Sequence, residues 1–125
     1  MSVNLKRPIV PAIALGMLSG RTRLLGIPKE RVQVVITLPN ILEFNDELYN
    51  AIEFFKDRAE CFIITSSSKN NCETLIEKYE LRENLLSTEY KDFAKIFKMM
   101  DENKNLKKSL MIIDTNCQIT HKDVL

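Results

Sequence analysis

The stretch RVQVVITLPNILEFNDELYNAIEFFKDR, residues 31 to 58, decides the fold of this chain. Its β-branched run Val32–Leu38 predicts a strand buried in a sheet. Pro39 ends that strand, because proline has no N–H to donate to a central ladder. An amphipathic helix is predicted next, with Asn45 or Asp46 as its N-cap. The buried stripe of this helix has the spacing i, i+3, i+4, i+7, in Leu48, Ala51, Ile52 and Phe55.

A strand that passes through a tight turn into a helix brings the helix N-terminus to the carboxyl end of the strand. Ligands and reactive groups of α/β proteins gather at that point. The segment that follows Pro39 is therefore the predicted position of an active site.

Composition indicates one soluble globular domain over residues 1 to 125, since 45% of the chain is hydrophobic and 28% is charged. The formal net charge is +1, and Lys and Arg are spread along the chain. A nucleic-acid partner is not expected, because such surfaces concentrate basic residues. A membrane span is not expected either, because no apolar run approaches ~20 residues.

Three cysteines, Cys61, Cys72 and Cys117, are an odd number and contain no CxxC pair. This argues against a disulfide framework and favours a reducing, cytoplasmic location. The basic and apolar start of the chain imitates a signal peptide, but Pro8 and Pro11 interrupt its apolar part. A signal peptide is therefore not predicted.

The rest of the chain continues the alternation of strands and helices. Two short extended pieces are predicted within residues 8–26, and strands over residues 61–65, Ser109–Ile113 and 118–124, with a brief one near residue 86. Two further helices have stripes at the same spacing: Cys72, Leu75, Ile76 and Tyr79 in one, and Phe93, Ile96, Phe97 and Met100 in the other. The order β-β-β-α-β-α-β-α-β-β predicts a mixed sheet between two helical layers.

Four stretches in this order, VVITLPNI, CFIITSSS, ENLLSTEYKDF and LMIIDTNCQI, carry a resemblance to a known family. The chain resembles the bacterial thiol peroxidases, which are atypical two-Cys peroxiredoxins, over about residues 31 to 125. The resemblance implies an α/β, thioredoxin-like three-layer sandwich with a mixed central sheet and helices on both faces. It also implies a helix after the closing hairpin, which this sequence does not show.

The family's reactive motif is a proline, then a threonine, then the peroxidatic cysteine three positions after the threonine, at the start of the helix. On this sequence the proline falls on Pro39, the threonine on Glu43 and the cysteine on Asp46. An arginine that supports the thiolate falls near Lys108. The resemblance therefore implies a degenerate site, in which only the proline and a positive charge remain.

An aspartate cannot replace the cysteine in the reaction, because a thiolate must attack the O–O bond and become a sulfenic acid. Asp46 can replace its charge, since the helix dipole stabilises a negative group in the first turn by about 0.3–1 kcal/mol. We therefore expect the side chain of Lys108 to lie beside Asp46 as its counter-ion. Glu43 and Asp46 alone are too few ligands for a metal, so neither a metal nor a cofactor is expected.

Among the thiols, Cys72 is the candidate for residual redox chemistry, because the family's resolving cysteine falls nearby, at Leu75 or Ile76. The simpler interpretation is that Cys72 is a small buried hydrophobe on its helical stripe. Cys61 is expected in the core and Cys117 exposed in a turn, and His121 is expected at the surface.

The first functional hypothesis is a thiol-peroxidase-like protein without peroxidase activity that acts as a binding or dimerising module. The resemblance implies a homodimer, and a protein partner is a further possibility. The alternative is an active thiol-dependent peroxidase or oxidoreductase that uses Cys72. A third hypothesis is a sensor domain that binds a small ion at the former site.

Overall fold

The structure is a computed structural model that describes residues 10–124. Its order of strands and helices is the predicted one, with two short 3-10 turns added. The basic residues at the start of the chain, together with Pro8, Ile9 and the last residue, lie outside the described part. The predictions that concern those positions are therefore not tested.

The central sheet has five strands in the order β5-β4-β3-β6-β7. Neighbours β3, β4 and β5 are parallel, whereas β6 runs antiparallel to β3 and β7 antiparallel to β6. The sheet is therefore mixed, as predicted. Its strands are β3 (Val32–Leu38), β4 (Ala59–Thr65), β5 (Leu86–Ser87), β6 (Ser109–Ile113) and β7 (Ile119–Val124).

The two extended pieces predicted near the start form an antiparallel hairpin, β1 (Ile13–Gly16) and β2 (Thr22–Leu25). The hairpin is tied to the sheet beside β5. The Leu18 N–H donates to the Leu86 carbonyl at 2.9 Å, and the Ser87 hydroxyl donates to the Gly16 carbonyl at 2.8 Å. These bonds cover an edge strand of only two residues.

Helices cover both faces of the sheet, which completes three layers. Helices α1 (Asp46–Phe55) and α2 (Lys69–Tyr79) pack on one face. Helix α3 (Tyr90–Ile96) and the hairpin pack on the other. The alternating side chains of β3 supply both interiors, since Val34 and Ile36 belong to one cluster and Val35 to the other.

Two residues predicted in buried stripes are largely exposed, namely Phe55 at 39% and Ile96 at 43%. In α1 only Ile52 is fully buried, while Leu48 and Ala51 are half-buried. Helix α3 ends at Ile96, so Phe97 is buried from a position beyond its last turn. The periodic stripes therefore overstate how many positions are buried in α1, and in α3 they also overstate the length of the helix.

Within residues 10–124, none of the helices is both long enough and apolar enough to cross a bilayer.

Candidate functional site

The Pro39 turn is fixed by the loop that follows the neighbouring strand. The Pro39 carbonyl accepts hydrogen bonds from the hydroxyls of Ser66 at 3.0 Å and Ser67 at 3.2 Å. The Ser67 oxygen in turn accepts the Ile41 N–H at 2.8 Å. Ser68 caps α2 by accepting the Asn71 N–H at 3.2 Å. Because β3 and β4 are parallel, their carboxyl ends meet here, and the serine loop clamps the turn.

Glu43 lies at the end of a 3-10 turn, Ile41–Glu43, directly after Pro39. Its Oε1 is 3.2 Å from the Nζ of Lys108, and the two side chains are 50% and 41% exposed. The prediction that Lys108 is the counter-ion of Asp46 is therefore wrong. Lys108 pairs with the other acid of the site, because the 3-10 turn brings Glu43 to the start of β6.

The position of Lys108 is fixed through its neighbours. The Thr37 hydroxyl donates to the Lys107 carbonyl at 2.7 Å and lies 2.6 Å from the Ser109 hydroxyl oxygen. Thr37 and Ser109 are directly opposite each other on antiparallel strands and both are buried. The residues on both sides of Lys108 are therefore held by Thr37, which fixes the backbone from which the Lys108 side chain extends.

Asp46 is the first residue of α1, and the preceding Asn45 is the N-cap, whose Oδ1 accepts the Leu48 N–H at 2.9 Å. The Oδ1 of Asp46 accepts a hydrogen bond from the Tyr79 hydroxyl at 2.8 Å. This bond raises the pKa of Tyr79, and burial and the negative charge of Asp46 raise it further. Both acids of the site are therefore bonded to neighbouring side chains.

The ring of Tyr79 is held by two aromatic neighbours. Phe44 meets it edge-on with centroids 5.1 Å apart, and Tyr49 stacks on it at 5.2 Å. Such pairs stabilise a fold by about 0.5–1.5 kcal/mol beyond the stabilisation that comes from burying the rings. The donor that faces Asp46 is therefore supported from two sides.

Cys72 lies on α2 and is 0% exposed, in the cluster between α2 and the sheet. Burial raises the pKa of its thiol, and the neighbouring Glu73 carboxylate raises it further. Both effects disfavour the thiolate, which is the nucleophilic form. The geometry is that of a packed small hydrophobe.

The prediction that Cys117 is exposed is wrong, since its side chain is only 3% exposed. The hairpin turn places Cys117 at φ 63°, and its N–H donates to the Asp114 carbonyl at 3.1 Å. Its carbonyl accepts the Val10 N–H at 2.8 Å, and both residues belong to the same buried cluster. Burial, followed by the charge of Asp114, raises the pKa of Cys117.

Cys61 is 4% exposed in the core, as predicted. Burial raises the pKa of its thiol, and the nearby positive charge of Arg23 offsets only part of this rise. All three cysteines of the chain lie within the described residues and are unpaired thiols.

Residues 10–124 contain no group of three or more His, Cys, Asp or Glu side chains that could hold a metal ion. His121 is exposed on β7, as predicted.

No known protein family matches the sequence. No curated protein is similar enough in sequence to match.

Solved structures match over almost the whole chain. A peroxiredoxin-like protein from Aquifex aeolicus has a TM-score of 0.75 at 16% identity, covering 96% of this chain and 74% of its own. A thiol peroxidase from Chromobacterium violaceum has a TM-score of 0.72 at 15% identity, covering 99% and 78%. A thiol-disulfide oxidoreductase from Bacteroides fragilis has a TM-score of 0.71 at 13% identity, covering 94% and 91%.

These likenesses confirm the predicted fold, which is α/β and thioredoxin-like, with a mixed five-stranded sheet and helices on both faces. The structures that share it include peroxiredoxin-like and thiol peroxidase proteins, as the resemblance in sequence implies. At these identities the likeness concerns the fold, and the activity of those proteins is not thereby carried to this chain.

Proposed function

We propose that this chain is a thiol-peroxidase-like protein that lacks cysteine-based peroxidase activity and acts as a binding or dimerising module. One observation carries the proposal. The first helical turn after Pro39 presents the carboxylate of Asp46, held by Tyr79 at 2.8 Å, where the family's motif has a thiolate. A cytoplasmic location belongs to the proposal, since all three cysteines are unpaired thiols.

The surroundings of Asp46 support this proposal. A peroxidatic thiolate needs a nearby cation and an open path to peroxide. The cation of this site, Lys108, is engaged by Glu43 at 3.2 Å, at the position where the family's motif has threonine. The cation and both acids that follow Pro39 are therefore engaged in bonds to other side chains.

The alternative, a peroxidase that uses Cys72, has no support in the geometry. Its side chain is 0% exposed and its pKa is raised, so both access and the thiolate are missing. Use of Cys72 would require α2 to separate from the sheet in each catalytic cycle.

Peroxide consumption in the presence of dithiothreitol tests the proposal. We expect the folded chain to consume hydrogen peroxide no faster than the same concentration of a fully reduced, unstructured cysteine peptide. Cys72→Ala is the informative variant, and Thr74→Ser on the same helix is the control. Catalytic turnover that Cys72→Ala abolishes and Thr74→Ser retains would establish the alternative.

Exposed apolar side chains around α1 support a homodimer. Leu42, beside the Pro39 turn, is 58% exposed, and Phe54 near the end of α1 is 63% exposed. Phe55 adds a third apolar side chain, and its ring meets Phe54 edge-on at 5.3 Å. Contiguous exposed apolar surface commonly marks a protein interface, and the two phenylalanine rings form such a contact.

Light scattering coupled to size-exclusion chromatography tests the dimer. We expect twice the mass of one chain for the native protein, and a monomer for Phe54→Ser. Leu24→Ser on the hairpin is the control, because Leu24 is 46% exposed but lies away from α1. A monomeric native chain would contradict the proposal, as would a dimer that Leu24→Ser disrupts and Phe54→Ser leaves intact.

A further inference from the structure

A groove of about 560 Å³ lies at the end of the sheet opposite Pro39. It is formed where β4 begins, at residues 59–61, by the end of α1 and by residues 80–85 after α2. Its volume is within the range of about 300–1,000 Å³ that small-molecule sites occupy. Neither the Pro39 turn nor Asp46 lines it, so it is a separate feature.

One wall of the groove is fixed by Arg23. Its guanidinium donates to the carbonyls of Cys61 at 2.8 Å and Asn84 at 3.1 Å, and to the carboxylate of Glu60 at 3.3 Å. It also lies 3.8 Å from the centre of the Phe62 ring. These contacts connect β2, β4 and the segment after α2, so the wall is held from three elements.

The negative charge of the acid in this wall, Glu60, is balanced by two cations. Glu60 lies 2.8 Å from the Nζ of Lys29 in addition to its bond with Arg23. Burial favours a higher pKa for Glu60, but the bonds to Lys29 and Arg23 outweigh burial and hold its pKa below the usual range. Glu60 therefore stays ionised and paired, and it presents little free negative charge to a ligand.

Four of the seven charged residues that line the groove are basic. Apart from the cluster around Glu60, Lys56 pairs with Glu53 at 3.5 Å. Arg31 donates only to the Lys56 carbonyl, at 3.5 Å, and Arg82 has no ion pair or side-chain hydrogen bond within residues 10–124. Glu80 is the one remaining acid of the lining.

Two guanidinium groups therefore line one groove without a carboxylate partner. Guanidinium binds carboxylate and phosphate groups through paired, charge-assisted hydrogen bonds. Tyr49, Ile52 and Leu81 line the same groove and give it an apolar part. We propose that this groove binds a small organic anion, in which a carboxylate or phosphate group on an apolar body is held by Arg31 and Arg82.

Titration of the ¹⁵N-labelled chain with phenyl phosphate and, separately, with benzoate tests the proposal, with benzyl alcohol as the uncharged probe. We expect saturable shifts of amide signals at Ala59, Leu81 and their neighbours with at least one of the two anions. The signals of β7 should not move. The uncharged alcohol should bind at least tenfold more weakly than the better anion.

Arg31→Gln and Arg82→Gln should each weaken anion binding about tenfold. Arg21→Gln on the hairpin is the control, since Arg21 is exposed and does not line the groove; it should change the dissociation constant by less than twofold. The proposal is overturned if neither anion binds at 10 mM, if the shifts fall outside the groove, or if all three substitutions weaken binding equally. None of these outcomes depends on whether the chain reduces peroxide.

Discussion

The end of the sheet at Pro39 and the interior beneath it hold different chemical groups. At the Pro39 end, two exposed acids, Glu43 and Asp46, are bonded to Lys108 and Tyr79. In the interior, the three cysteine side chains are only 0% to 4% exposed. Solvent access and charge therefore lie in one region and the thiols in the other, whereas a peroxidatic site needs them together.

Burial disfavours the nucleophilic form of all three interior thiols. A thiolate in apolar surroundings loses its hydration, so burial raises the pKa of each of the three cysteines. At the helix mouth the dipole would favour a thiolate, but the group present there is the carboxylate of Asp46.

The rate of thiol alkylation should show the largest difference between the two regions. Iodoacetamide should modify the native chain slower than the urea-unfolded chain by a factor on the order of 10² or more, because core thiols react only after opening. Glu47→Cys, which places a thiol on the exposed first turn of α1, is the positive control. One native cysteine that reacts as quickly in the folded as in the unfolded chain would contradict the burial of all three thiols.

Cys72→Ser should lower the free energy of unfolding by about 1–3 kcal/mol, because a hydroxyl replaces a buried thiol in an apolar cluster. The midpoint of urea denaturation measures this loss. Thr74→Ser, exposed on the same helix, should stay within about 0.5 kcal/mol of the native chain. Equal stability of the Cys72→Ser variant would mean that this thiol is not packed as the structure has it.

Asp46→Ala should lower the pKa of Tyr79, since the hydrogen bond that raises it is removed. Because the pKa of Tyr79 is raised in the folded chain, the hydrogen bond to Asp46 stabilises the fold at neutral pH. That stabilisation is lost as pH rises through the folded pKa. Absorbance at alkaline pH follows the tyrosine titration. Glu47→Ala removes another acid from the first turn of α1 and should lower the free energy of unfolding by about 0.3–1 kcal/mol. It should leave the titration of Tyr79 unchanged. A shift in both variants would contradict the assigned bond.

The smallest effect should come from the ion pair between Glu43 and Lys108, because both side chains are about half exposed. A double-mutant cycle with Glu43→Gln and Lys108→Gln should give a coupling of about 0.2–1 kcal/mol. Added salt should reduce it. A coupling well above this range would indicate a pair that is shielded from water.

The sequence alone predicts the element order and the bounds of β3 and β6, because apolar β-branched runs leave little choice once Pro39 ends the first of them. It also narrows the N-cap of α1 to Asn45 or Asp46, and the structure has Asn45, because capping depends on neighbouring residues only. Local chemistry is readable in this way because its partners are close in the chain.

The pairing of the site could not be read from the sequence. The bond from Tyr79 to Asp46 spans 33 residues and that from Lys108 to Glu43 spans 65. No periodicity reports which of two nearby acids faces a distant cation. The burial of Cys117 could not be read from the sequence either, because it depends on a left-handed backbone and on a hydrogen bond from the distant Val10 N–H.

The most direct test of the central claim is to identify which sulfur accepts oxygen from peroxide. The folded chain is treated with one equivalent of hydrogen peroxide and dimedone, which traps a sulfenic acid, and is then analysed by intact mass and peptide mapping. We predict no adduct on Cys61, Cys72 or Cys117, and an adduct on residue 46 alone in the Asp46→Cys, Glu43→Thr variant. A stoichiometric adduct on Cys72 of the folded native chain would contradict the account.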